Sequence, residues 1–396
     1  MKRRDFIKNS ALASSLFYVP SFVNAFNKLD LSLAGYKRLV IVQLSGGNDG
    51  LNTVIPYNND IYFKNRPTIG QKTSSILKIN DELGFHKNLA PLKRLFDKGY
   101  VSVINNVGYP NPNRSHFRST DIWQTASNSN QYLNSGWLGR YLDSYGKSPH
   151  NAIQVDDSLS LVMKGNKLNG MAVQDAKQLY YNAQDPYFKK VLEHHSDQHL
   201  SEHNLGYLYK TMIAAENSAQ YIYNKSKTYN STQEYPNNPL GNQLKTAAEF
   251  INSGVDCKIL YTSLGGFDTH FNQTSRQEKL LSVYSESIDA FVKDLEKNDT
   301  FKDTLILTFS EFGRRVKQNA ANGTDHGTAN NVFIIGKNLK KNGIYNEMPN
   351  LSDLDSNGDL KYSVDFRQIY ATILKNWMEV DDKVILNKSF KPLTFL

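Results

Sequence analysis

Side chains that ligate metals or move protons recur where apolar runs of this chain give way to glycine-rich loops. Asp49 closes Ser45-Gly46-Gly47-Asn48-Asp49-Gly50, and Asp268 and His270 end Gly265-Gly266-Phe267-Asp268-Thr269-His270. Glu311 begins Glu311-Phe312-Gly313-Arg314, and Asp325 and His326 sit in Gly323-Thr324-Asp325-His326-Gly327. Each segment alone has a plainer reading. Gly46 to Gly50 is a tight turn and fits neither the P-loop nor the dinucleotide fingerprint. Asp268-Thr269-His270 alone is a helix cap with an exposed imidazole, and Asp325-His326 alone is a hydrogen-bonded pair. Glu311, an acid directly after a buried run, needs a partner such as Arg314 or Arg315. Their recurrence is what favours a joint role. Carboxylates and imidazoles gathered in one place repel or stay unpaired unless a cation holds them, and mixed oxygen and nitrogen donors suit a divalent metal.

Two further patterns resemble metal sites and fail on inspection. His195, His199 and His203 share a face at helical spacing, but their surroundings are wholly polar, as on a solvated surface. Asp353-Leu354-Asp355-Ser356-Asn357-Gly358-Asp359 begins like a calcium loop, yet Val364 stands where the bidentate Glu belongs. A turn rich in Asp and Asn is the better reading.

The elements that must position these loops are legible. Five β-branched runs, at 38–44, 101–105, 257–261, 304–308 and 332–335, are nearly continuous in apolar character, as parallel strands covered on both faces are. Helical spacing falls between them, at 88–98, 121–126, 138–143, 207–224, 244–252, 275–295 and 366–377. Alternation of this kind predicts an α/β fold with a mainly parallel central sheet, and a helical insertion around 176–250, where strand signals are missing. In such sheets, functional groups collect beyond the carboxyl ends of the strands.

The first 25 residues read differently from the rest. Lys2-Arg3-Arg4-Asp5-Phe6-Ile7-Lys8, a short apolar run from Ala11 to Val19 and the small residues Val23-Asn24-Ala25 have the order of a twin-arginine export signal. That assigns residues 1–25 to a signal and 26–396 to the functional domain, with the twin-arginine translocase as a partner during export and a periplasmic or otherwise exported destination. Processing would remove Lys2, Arg3, Arg4 and Lys8 against Asp5, taking the net charge from +8 to about +5. This is a solubility charge rather than a nucleic-acid footprint, because no basic run with interleaved aromatics remains. No later stretch approaches a membrane span. Cys257 is the lone cysteine, which excludes a disulfide scaffold and any cysteine-rich metal site.

Seven ordered motifs carry a family resemblance: Gly46 to Gly50, Ser115-His116-Phe117-Arg118, Gly136-Trp137-Leu138-Gly139-Arg140, Gly266 to His270, Ser310 to Arg314, Thr324 to Gly327, and Asp365-Phe366-Arg367. The chain resembles the exported domain-of-unknown-function family numbered fifteen-oh-one, and through it, more distantly, the alkaline phosphatase and sulfatase superfamily. The resemblance implies a three-layer α/β/α sandwich and hydrolysis of a small anionic ester or envelope polymer. It implies one or two divalent ions, zinc or manganese. By position it makes Asp49, Asp268, His270 and His326 metal ligands and Glu311 the acidic ligand of a second ion. It makes Ser115 the nucleophile and Arg118 the group that grips the ester oxygens. Superfamily members usually carry Asp-His where this chain has Glu311-Phe312, and Ser115-His116-Phe117-Arg118 does not fit the formylglycine signature. A non-catalytic envelope binding or assembly protein with a structural or vestigial metal site is the rival reading.

Overall fold

The computed structural model describes residues 36–193 and 204–396. The export segment and the histidines at 195, 199 and 203 lie outside the described residues. The run Arg-Leu-Val-Ile-Val-Gln-Leu is apolar at nearly every position, and accordingly β1 (Arg38–Leu44) is buried along its whole length. It pairs in parallel with β5 (Ile259–Leu264) on one side and β6 (Thr304–Phe309) on the other. The remaining strands of this sheet are β2 (Val101–Gly108), β3 (Ala152–Gln154), β4 (Met171–Ala172), β7 (Asn330–Ile335), β8 (Gly343–Ile344) and β9 (Val364–Asp365). Their order is β8-β2-β7-β6-β1-β5-β3-β4, with β9 also pairing β2. The very short strands escape a sequence reading because two or three residues carry no period.

In this sheet all strands run parallel except β7, which is antiparallel to both β2 and β6. Its apolar run had suggested a parallel strand. The reversal has a consequence for the site. Loops following β1, β5 and β6 emerge at one edge of the sheet, and the loop preceding β7, with Asp325 and His326, emerges at that same edge only because β7 points the other way.

The alternation of side chains along β1 feeds two cores. Val40, Val42 and Leu44 join one cluster with Leu92 and Leu95 of α1 (Ala90–Asp97), Leu244 and Phe250 of α2 (Pro239–Asn252), and Ile288 and Phe291 of α3 (Gln273–Lys297). Leu39 and Ile41 join the other with Ile122 and Trp123 of the helix His116–Thr125, Leu138 of the helix Trp137–Tyr145, and Ile369 of the helix Phe366–Thr372. Helices therefore cover both faces, giving three layers. The segment between β4 and β5 is helical at Ala176–Ala183, Pro186–Glu193, Asn204–Ser226 and α2. Of these, α2 packs on β5 and α3 and belongs to a layer rather than to an insertion. Among the described residues no helix is long and apolar enough to cross a membrane.

His86 sits under this frame, 1% exposed, between Gly84–Phe85 and the 3-10 turn Lys87–Leu89, and its Nδ1 accepts from the backbone N–H of Asn88. Burial lowers its pKa from 6.5 to about 4, against a smaller opposing pull from Glu278. Between those values the unfolded chain takes up a proton that the folded chain refuses. Stability from this group is therefore complete above pH 6.5 and falls as the pH drops towards about 4, by roughly 3 kcal/mol at full extent. His86→Gln is expected to flatten the dependence of urea-unfolding free energy on pH across that window. An unchanged slope would show that His86 does not govern it.

Candidate metal centre

The loop after β1 carries Gly46 at φ +115° and Gly47 at φ +70°, both in the region that favours glycine. A Cβ on Gly46 would stand 2.5 Å from the backbone nitrogen of Asp268, and one on Gly47 would stand 2.4 Å from the Phe312 ring. The pair lets three loops close on one another. Arg314, 2% exposed, fastens them. Its Nε donates to the Gly47 carbonyl at 2.6 Å, its Nη1 to the Thr324 carbonyl at 2.9 Å, and its Nη2 to the Phe267 carbonyl at 3.1 Å and Asp268 Oδ1 at 2.8 Å.

Three imidazoles converge on that same Asp268 oxygen. Oδ1 lies 3.0 Å from His270 Nε2, 3.3 Å from His326 Nε2 and 3.3 Å from His116 Nε2. His270 and His326 bring their Nε2 atoms to 2.9 Å of each other. In every case the other ring nitrogen faces a group that only accepts. His116 Nδ1 donates to Glu311 Oε1 at 2.8 Å, His270 Nδ1 to Asp325 Oδ1 at 3.1 Å, and His326 Nδ1 to the Arg114 carbonyl at 2.7 Å. These partners fix the tautomers and leave three Nε2 lone pairs directed inward, the arrangement of histidines that bind metal. His116 Nε2 is buried with no hydrogen-bond partner. Hydrogen bonding within the cluster cannot satisfy it, since with its proton on Nδ1 this nitrogen only accepts, and Asp268 Oδ1 has no proton to give. Three imidazole nitrogens and one carboxylate oxygen fit a divalent ion of the zinc type. His116, Asp268 and His326 alone place one donor atom each within 4.8 Å of one another.

The electrostatics favour such an occupant. Burial opposes ionisation of Asp268, but the Arg314 guanidinium and the surrounding imidazoles hold its carboxyl well below the usual range. Burial lowers the pKa of His326, the Arg314 charge adding to this effect, so its ring stays neutral as a ligand must. The hydrogen bond to Glu311 raises that of His116 by favouring its protonated form, and a bound ion would displace that second proton. Phe312 tilts against His116 and His326 at ring-centroid distances of 4.7 and 4.9 Å, closing one side to water.

The family model described as Protein of unknown function (DUF1501) matches residues 36–389, which include this whole centre. The chain belongs to this family. No curated protein matches it. Among solved structures it is similar to the C-terminal periplasmic domain of EcEptC from Escherichia coli in complex with Zn. That match has 12% identity and a TM-score of 0.37, and covers 76% of this chain and 73% of the other. It is also similar to the PsFucS1 sulfatase from Pseudoalteromonas sp., at 11% identity and a TM-score of 0.39, covering 94% and 73%. A third is a protein in the alkaline phosphatase superfamily from Vibrio parahaemolyticus, at 10% identity and a TM-score of 0.39, covering 90% and 70%.

Within this DUF1501 chain, the structure sorts the residues expected at the site. Asp268, His270 and His326 meet. Asp325 and Glu311 stand one step back, each holding an imidazole. Glu311 is 1% exposed and also accepts from the Gly46 N–H at 2.9 Å, so its partners are His116 and the backbone rather than Arg314 or Arg315. Asp49 is elsewhere: buried Arg66 donates to its Oδ2 at 2.6 Å, Gln273 donates to the same oxygen, and Oδ1 accepts from the Leu51 N–H. Its charge is matched by a guanidinium, which removes it from the ligand set. Arg118 donates to the carbonyls of Asn128, Ser129 and Gln131 and lies 3.9 Å from the Tyr132 ring centre, so it ties down a loop instead of gripping an ester. Ser115 is exposed at the start of its helix and makes no capping bond. His116 was the member of the cluster without a sequence signal, one helical residue among seven motifs. The one hint was the partner that Glu311 required. Asp355 is an Asx turn, accepting from the N–H groups of Asn357 and Asp359, and Arg114 fills the place of a cation against both acids.

Asp49 and Arg66 are both fully buried, so breaking the pair strands a charge. Arg66→Met is expected to cost about 3–5 kcal/mol in urea unfolding. Asp49→Asn combined with Arg66→Met should recover part of that loss. A double variant no more stable than the single one would show that charge pairing is not what the site supplies.

Proposed function

We propose that the protein is an exported, metal-dependent hydrolase of phosphate or related anionic esters. The observation that carries this reading is the convergence of His116, His270 and His326 Nε2 on Asp268 Oδ1, with all three Nδ1–H groups already engaged. These four residues would hold the ion, and the nitrogen-rich set suits zinc ahead of manganese. When bound, a divalent ion supplies Lewis acidity towards an ester oxygen. The chain's own residues do the rest. Glu311, Asp325 and the Arg114 carbonyl keep each proton on Nδ1, and Arg314 keeps Asp268 ionised and in place. Phe312 excludes water on one side, while Asp268 and His270 remain 49% and 39% exposed on the other, leaving an approach for substrate. Ser115 offers an exposed hydroxyl one residue before His116. Export by the twin-arginine translocase delivers folded protein, which suits a centre assembled from two loops and a helix distant in sequence.

A non-catalytic envelope binding or assembly protein with a structural or vestigial metal site is the second reading. It is favoured by the commitment of Arg118 to the 128–131 loop and of Asp49 to Arg66, which leaves one ion's worth of ligands among the described residues.

Elemental analysis of the purified full chain is expected to find about one divalent ion per chain. Asp268→Asn with His326→Ala should reduce it to a background level while circular dichroism stays unchanged. Turnover of 4-nitrophenyl phosphate, bis(4-nitrophenyl) phosphate or 4-nitrocatechol sulfate, abolished by chelator, is the expected activity. Metal-free wild-type protein would sink the hydrolase and leave the second reading with a vestigial site, and bound metal without turnover on any ester would leave the second with a structural one.

A further inference from the structure

Three of the seven motifs end in an arginine outside the metal centre, and all three hold one loop. That loop joins the helices His116–Thr125 and Trp137–Tyr145. Arg140, 7% exposed, grips both of its ends, donating from Nη2 to the Thr125 carbonyl and from Nη1 to the Ser135 carbonyl, each at 2.7 Å. Arg118, 9% exposed, donates from Nη2 to the carbonyls of Asn128, Ser129 and Gln131. Arg367, 4% exposed, donates from Nη1 to the Ser127 carbonyl at 3.4 Å and to Asn128 Oδ1 at 2.6 Å, while Asp365 matches its charge. Three buried guanidiniums under one polar surface loop fix its backbone, and a fixed backbone is the preorganisation that a binding surface needs.

Asn128, Ser129 and Asn130 of this loop line a cup of about 460 Å³, within the size range of small-molecule sites. Pro110, Asn111 and Asn113, from the loop after β2, supply the rest of its wall, which carries no charged side chain. Asn113 Oδ1 accepts from the Ser115 N–H at 2.8 Å and Asn128 Oδ1 from Arg367, so both amides keep their NH2 donors for a ligand. Among the described residues, the side chains of Asn111, Ser129 and Asn130 make no hydrogen bond within the chain, and each both donates and accepts. Tyr132, two residues past Asn130, is 78% exposed, its ring centre 3.9 Å from the Arg118 guanidinium that also supports the loop. The cup adjoins the metal centre along the chain. Asn113 stands three residues before His116, so their Cα atoms are at most about 11 Å apart.

This wall selects by chemistry. An ion would find no counter-charge in it, and the Arg118 charge is already solvated by three carbonyls. An apolar ring would leave the amides without partners. A peptide group brings one donor and one acceptor, with side chains that need pockets of their own. A sugar ring carries several hydroxyls a few ångströms apart, each both donor and acceptor, which matches five polar side chains around one small cup.

We propose that the cup binds a neutral sugar unit. Taking that sugar as the alcohol part of the ester rests on the hydrolase reading; the cup itself does not. Binding is therefore read first without turnover, by ligand-observed NMR titration of the purified full chain. The probes are the methyl glycosides of glucose, galactose, mannose and N-acetylglucosamine, of which at least one is expected to bind in the millimolar range. Asn111→Gly suits the φ of +53° at that position and removes one amide, and Asn130→Ala removes another. Each should weaken the bound glycoside roughly three- to tenfold, the loss of one hydrogen bond. The double variant should weaken it at least about tenfold, with circular dichroism unchanged.

No binding of any of the four glycosides at millimolar concentration, or binding that the double variant leaves unchanged, would overturn the cup. So would binding of inorganic sulfate that the double variant abolishes, which would make it an anion site. The two readings fail separately. Glycoside binding with no ester turnover refutes the hydrolase alone, and turnover of 4-nitrophenyl phosphate without glycoside binding refutes the cup alone. Where both hold, the double variant should raise KM for the 6-phosphate of the bound sugar about tenfold. An unchanged KM would overturn the link between sugar and ester.

Discussion

A guanidinium buried without access to water must find acceptors for its five N–H groups, and Arg314 finds them on the loops after β1 and β5 and before β7. The carbonyls of Gly47, Phe267 and Thr324 are fixed in space by that requirement, and with them the backbones that carry Asp268, His270 and His326. Its remaining charge is met by Asp268, which becomes the permanently ionised centre of the imidazole ring. The glycines at 46 and 47 matter for the same reason. Any side chain there would push the first loop away from Phe267–Asp268 or from Phe312, and Arg314 would lose acceptors it cannot replace with water.

The second constraint is the direction of protons. An imidazole beside a carboxylate can present either nitrogen, and a ligand set works only if each turns a bare nitrogen inward. Here the choice is made by three unlike partners: a buried acid, a half-exposed acid and a backbone carbonyl. The carbonyl belongs to Arg114, whose own side chain is held by Asp355 and Asp359. The loop that imitates a calcium site thus acts on the centre from outside it, by holding the residue that orients His326.

Much of this was legible in the sequence, and the misses have physical causes. The long strands and the alternating helices follow from apolar period, and the positions of the polar loops follow from where those runs stop. Asp268, His270 and His326 could be named because each sits at such a stop. Asp49 sits at one too, yet nothing local reveals that Arg66, seventeen residues on, will be folded against it. His116 was invisible for the converse reason: it is on a helix rather than at a strand end, and reaches the cluster only through the packing of that helix on Phe312 and Glu311. The direction of β7 was also beyond the pattern, since an apolar run reads the same both ways. Direction depends on how the chain returns from the 313–327 loop.

Phe312 makes the last connection. The resemblance led to the expectation of an imidazole at its position, where this chain carries a phenyl ring. In the structure the phenyl ring is a shared wall, with imidazoles on one side and an apolar cavity on the other. A polar ring in its place would bring water and charge to the boundary of that cavity. The phenyl ring keeps the dielectric low beside His116 and His326, which strengthens every charge interaction across the centre. The ring is also a partition between the imidazoles and an apolar cavity, and so makes neighbours of two ordinary features of the fold.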